Sequence, residues 1–203
     1  MSSSRKKQRH LQSLDQLKRD VANRKRERII YGFLIVMVAF VLSGVAFMGL
    51  RIFFATDLYH AFIYDWIGTA FLYLAGMMIF LFFIYGSLVI TIKNPQKISK
   101  NQVFAWGGTG IICLALGVFI FHEVSSLTIN SVRDMKDYTN GVMKIDDLKV
   151  VEVYTGGHSD IALITTEELE LSLLLNVIRI EEGETYRFTY MERTGNILNV
   201  EKK

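Results

Sequence analysis

Four histidines are the side chains best suited to acid–base or metal chemistry, and none falls in a recognisable motif. His60 lies between Asp57 and Asp65, and His122 abuts Glu123. His60, Asp57, His122 and Glu123 all lie beside the ends of long apolar runs, so a metal site could be assembled from them. Zinc centres with a readable signature space their ligands more tightly, and interfacial polar residues are the default reading. His158, Ser159 and Asp160 are consecutive. A catalytic triad meets through the fold and not along the chain, so this string reads as a turn. Gly107-Gly108-Thr109-Gly110 lacks the Lys-Ser/Thr that completes a phosphate loop, and it sits in an apolar run. The single cysteine, Cys113, can form no disulfide within the chain. These residues assign no catalytic group, no metal and no cofactor.

The elements that would position any site are clearer. Hydrophobic residues make up 51% of the 203, but that average hides a partition. Residues 1–28 hold ten Lys/Arg against three Asp/Glu, and residues 123–203 hold nine against fifteen. Between them lie three stretches without a charged residue, about 29–50, 66–92 and 103–121. Crossing a bilayer core takes roughly 20 apolar residues in a helix, and a helix satisfies its own backbone in lipid. The spacing therefore predicts a membrane α-helical bundle of three transmembrane helices. A cleaved signal peptide does not fit a first run this long behind a basic leader.

Lys/Arg counts near the span ends set the orientation. The leader has ten, the segment 51–65 has only Arg51, and the segment after span two has Lys93, Lys97 and Lys100. This predicts a multi-pass protein with a cytoplasmic N-terminus and an extracytoplasmic C-terminal region. The small size of the chain and the lack of Asn-X-Ser/Thr acceptors in that region make a bacterial plasma membrane the working expectation. Pro95, the only proline, would break the chain between spans two and three. Tyr59, Tyr64, Trp66 and Tyr73 near one end of span two, and Trp106 near the opposite end of span three, suit headgroup depth.

In the leader, Leu11, Leu14, Leu17 and Val21 fall at helical spacing among Lys18, Arg19, Arg24, Lys25, Arg26 and Arg28. This reads as a short amphipathic segment facing anionic headgroups, each basic residue contributing roughly 1 kcal/mol. A partly disordered, solvated topology signal is preferred over a docking helix or coiled coil. No nucleic-acid motif accompanies the basic run. In span three, Ala105, Thr109, Cys113 and Gly117 recur every four residues. Small residues allow close helix approach in lipid, so this stripe predicts a packing interface. The same surface would serve a membrane partner, a second copy, or spans one and two.

Beyond Phe121, residues 123–140 read either as a continuation of span three for a few helical turns or as a linker. Residues 141–203 then show period-two alternation: Val151 with Val153, Leu169-Leu171-Leu173, and Tyr186-Phe188-Tyr190. Turns are expected at Asn140-Gly141, Gly156-Gly157, Glu182-Gly183 and Gly195. Five or six short strands predict a small all-β domain, an OB-like or SH3-like barrel or a sandwich. Its acidity disfavours nucleic acid.

Three function classes follow. The first is a non-enzymatic accessory, assembly or regulatory subunit of a cell-envelope complex. The second is a membrane sensor or ligand-binding protein. The third is a membrane enzyme with a polar site at the outer surface, which needs His60 and His122 to converge.

Overall fold

A computed structural model describes residues 2–93, 98–155, 161–175 and 178–203, with side chains from residue 21 onward. Three helices, α1 (Ser2–Phe54), α2 (Leu58–Lys93) and α3 (Lys100–Thr139), precede five strands. The strands are β1 (Lys144–Thr155), β2 (Ala162–Thr166), β3 (Glu170–Leu173), β4 (Thr185–Tyr190) and β5 (Ile197–Lys202). All three helices are long and apolar enough to cross a membrane. Pro95, Lys97, the Gly156-Gly157 turn and the string His158-Ser159-Asp160 lie outside the described residues, as do the side chains of Lys18 and Arg19.

The three helices pack side by side as a row. α1 packs on one side of α2 and α3 on the other, while α1 and α3 scarcely meet. Small residues on two faces of α2 explain this. On one face, a Cβ added to Gly68 would lie 3.1 Å from the Gly44 carbonyl oxygen of α1. On the other, Ser87 is buried and its hydroxyl donates to the Trp106 carbonyl of α3 at 2.6 Å. A Cβ on Gly110 would lie 2.7 Å from the Ser87 Cβ. That atom cannot rotate away, so the helices themselves must part. Gly110→Val should therefore weaken α2–α3 packing by about 1–3 kcal/mol, the usual range for overpacking. Unfolding in mixed micelles would measure it, and Ser87→Gly in the same chain should recover most of the loss.

The leader is not a separate surface helix. α1 runs unbroken from Ser2 into the first apolar run. The segment 51–65, expected as a loop, is mostly helix as well, and only residues 55–57 link α1 to α2. Asp57 explains the sharp restart. Its side chain accepts from the His60 N–H at 2.8 Å, capping the first turn of α2. α3 opens on a Ser99–Gln102 capping box and continues past the apolar run to Thr139.

The five strands form one antiparallel sheet in the order β3-β2-β1-β4-β5. β1 is shared: its first half pairs with β4 and its second with β2. The sheet is open, so the expected closed barrel does not form. Closure needs a continuous ladder between the outer strands. β3 spans four residues and meets the β5 side through a single bridge, Ser172 to Asn196.

The core holds Leu148, Val150, Ile164, Leu171, Leu173, Tyr186, Phe188, Tyr190 and Ile197. The expected Val151–Val153 face is corrected by a bulge at Val150/Glu152. One extra residue there turns Val150 and Val153 inward and leaves Val151 exposed. On the outer face, Arg187 and Lys203 hydrogen-bond Asp147 and hold its carboxyl down at about 2. A depressed carboxyl adds stability above its unfolded value, near 3.9, and loses it as pH falls toward 2. Asp147→Asn should lower the neutral plateau and flatten the acid limb between pH 4 and about 2, so that the variant and parent curves converge toward pH 2.

Candidate functional site: the junction of the helices and the β domain

The polar chemistry gathers where the first turns of α2 and the last turns of α3 meet the sheet. Leu58, the first residue of α2, enters the core of the β domain. Next to it Ala61 and Phe62 are buried against Leu174 and Met191, with Met135 and Tyr138 of α3 packed alongside. The rings of Tyr59 and Tyr138 stack at 3.8 Å, tying α2 to α3. Aromatic pairs of this kind add roughly 0.5–1.5 kcal/mol beyond area burial.

Asp134 is the polar centre of this junction. It is 2% exposed. Its carboxylate accepts from the Thr194 N–H and hydroxyl, both at 2.8 Å, from the Arg193 N–H at 3.3 Å, and from Arg193 Nη1 at 3.1 Å. Arg193 Nη1 also donates to Asp137 at 2.5 Å. Asp137 first and Asp134 second raise the Arg193 pKa above its ordinary value. The donors come from the β4–β5 turn, which Gly195 makes possible. Its φ of +67° lies in the left-handed region, and a Cβ there would press to 3.0 Å from the Glu170 carbonyl. The Gly195 carbonyl accepts from the Ser172 N–H at 2.9 Å, fixing the turn to β3.

A second buried charge lies nearby. Arg51, in the last turn of α1, donates to Asp65 of α2 at 2.5 Å, and the two side chains are 9% and 25% exposed. Among the described residues, Arg51 Nε is the buried side-chain donor without a partner.

Between the junction and the membrane-spanning part lies a cleft of about 390 Å³. Trp66, Thr69 and Tyr73 of α2, Leu127 and Ser131 of α3, and Arg193, Thr194 and Asn196 of the turn line it. Its lower wall is aromatic and its upper wall can donate and accept hydrogen bonds.

The residues singled out from sequence are distributed unevenly around this centre. Asp57 and His60 do meet, Oδ2 to Nδ1 at 2.7 Å, on an exposed helix cap. The His60 N–H, and after it the His60 ring, hold the Asp57 carboxyl below its usual range against the opposing effect of burial. His122 and Glu123 are exposed on α3. Among the described residues, no three His, Cys, Asp or Glu gather as metal ligands would. Of the stripe on span three, Cys113 and Gly117 are half-buried, with Gly117 3.7 Å from Phe80 measured from an added Cβ. Ala105 and Thr109 are exposed, and the Thr109 hydroxyl donates back to the Ala105 carbonyl at 3.0 Å. Arg24, Lys25 and Arg28 are exposed along α1, while Arg26 is half-buried.

Asp134, Arg193 and the Arg51–Asp65 pair were not singled out from sequence. An acid at 134 beside Arg133, Lys136 and Asp137 looks like an ordinary solvated helix face. Searches against protein families, curated proteins and solved structures find no match to this chain.

Proposed function

We propose that this chain is a non-enzymatic membrane component, an accessory, assembly or regulatory subunit that holds a β domain at a fixed attitude over its own helices. One observation carries the reading. In the most apolar stretch of α3 no residue is buried within the chain, although the same helix is rigidly tied to the β domain through Asp134. A helix fixed at its end and open along its flank presents an apolar face for lipid or a membrane partner to cover, and the reading takes it as a partner's. Ile112, Leu116 and Phe119 are among its exposed side chains.

The reading places the chain in a bacterial plasma membrane, with the basic leader in the cytoplasm and the β domain outside. The orientation rests on the Lys/Arg asymmetry, and the bacterial membrane on the small size of the chain and the lack of Asn-X-Ser/Thr acceptors in its C-terminal region. Within it, the β domain is an opened variant of the OB-like or SH3-like plan, a likeness that carries no ligand by itself.

A photo-crosslinking residue at Ile112 or Leu116 should give one discrete protein adduct in intact cells, of either a partner or a second copy. Adducts with lipid alone would sink the proposal. In a Cys113→Ala background, Leu163→Cys should react with an impermeant thiol reagent in intact cells and Ser3→Cys should not. The reverse pattern would invert the topology.

The 390 Å³ cleft favours the sensor or ligand-binding reading as the second choice, since its size lies within the roughly 300–1,000 Å³ of small-molecule sites. The enzyme reading gains nothing from Asp57 and His60, whose contact serves the helix cap.

A further inference from the structure

The two ends of the α1–α2 pair are built differently. Near the β domain the helices touch through Gly44 and Gly68. Toward the basic end Phe33 of α1 stands between them, its ring 6.3 Å from Phe82 and 6.0 Å from Tyr85 of α2. Aromatic rings hold apart helices that glycines let close. Past this wedge the helices leave a groove of about 590 Å³.

The groove has an amphiphile's polarity. Ile30, Val89 and Ile90 form its apolar walls, and Asn23, Arg26 and Glu27 lie at its mouth. Arg26 and Ile30 are one turn apart, about 6 Å along the axis, which matches the step from a headgroup phosphate to the start of an acyl chain. Arg26 and Glu27 are the charged residues that line the mouth, and Arg24, Lys25 and Arg28 add positive charge on the neighbouring exposed surface of α1. Of the four basic residues, Arg26 is the one drawn half into the groove. Arg26 Nη1 donates to Asn23 Oδ1 at 3.1 Å, which leaves the Asn23 amide nitrogen as a donor beside the guanidinium. A planar guanidinium suits two phosphate oxygens at once.

We infer that this groove is a specific site for an anionic phospholipid of the leaflet at the basic end. The phosphate sits on Arg26 and Asn23 at the level of Val89 and Ile90, and one acyl chain lies along Ile30, Tyr85 and Phe82. The site lies on the face of the molecule opposite the Asp134 junction and does not depend on what the β domain contacts.

Native mass spectrometry of the full chain in neutral detergent tests this, with phosphatidylglycerol, phosphatidylcholine of the same acyl chains, and free glycerol 3-phosphate as probes. One phosphatidylglycerol per chain should be retained, with phosphatidylcholine and glycerol 3-phosphate released. Arg26→Gln should weaken retention about tenfold or more, and Lys25→Gln, on the exposed side, less than about twofold. Ile90→Trp should also weaken it, by filling the groove with no charge removed. Equal losses in Arg26→Gln and Lys25→Gln would mean diffuse attraction and overturn the site. So would equal retention of phosphatidylcholine, or binding of glycerol 3-phosphate as tight as the lipid.

Discussion

Replacing Asp65 with leucine should destabilise the α1–α2 pair by about 3–5 kcal/mol, the range for breaking a buried ion pair by removing one partner. The loss comes mainly from what remains. Arg51 would keep its charge at 7% exposure, with its Nε already lacking a partner. The attraction itself is offset by the desolvation of both groups. The double variant Arg51→Met/Asp65→Leu should therefore lie close to the parent, or above it. Unfolding of the four proteins in mixed micelles gives the cycle. A double variant as weak as Asp65→Leu alone would show that the pair stabilises by its own attraction and not by mutual neutralisation.

Asp134→Ala should release the β domain from α3 at a cost of about 3 kcal/mol, since several hydrogen bonds to one buried carboxylate are lost together. Arg193→Ala should cost less. That side chain is 35% exposed, and the Thr194 N–H and hydroxyl would still reach Asp134. Hydrogen exchange separates the two variants. In Asp134→Ala the Thr194 amide should lose its protection while the β1–β4 ladder keeps its own. In Arg193→Ala the Thr194 amide should stay protected. Loss of protection throughout the sheet would mean that the junction is part of the domain's fold and not a dock for it.

The three apolar helices were legible because about 20 uncharged residues have few other uses. The charges at 51 and 65 hid how far those helices extend. Each looks like a loop residue alone, and only their meeting across α1 and α2 makes helix at that depth affordable. Only part of the small-residue stripe on α3 packs within the chain, for a geometric reason. A helix turns about 100° per residue, so positions four apart drift by about 40° at each step. Starting from Cys113 and Gly117, the packed face passes back through Gly110 and Gly107 and leaves Ala105 and Thr109 outside. In the sheet, Tyr186, Phe188 and Tyr190 followed strict alternation and are buried as expected. Val151 did not, because a bulge is a property of two paired strands and leaves little trace in either one. Asp134 was illegible because its partners lie about 60 positions away.

The unbroken course of α1 bears on how its basic residues act. At 1.5 Å per residue, 53 residues make a rod of about 80 Å, against a hydrocarbon thickness near 30 Å. With the rod along the bilayer normal, position 9 stands about 28 Å further from the headgroups than position 28. At physiological ionic strength the Debye length is about 8 Å. Arg24, Lys25, Arg26 and Arg28 are then within electrostatic reach of the lipid surface, while Arg5, Lys6, Lys7 and Arg9 lie several screening lengths away. Along such a rod the leader's charge is not one signal, because only its membrane-proximal part falls within a screening length or so of the bilayer.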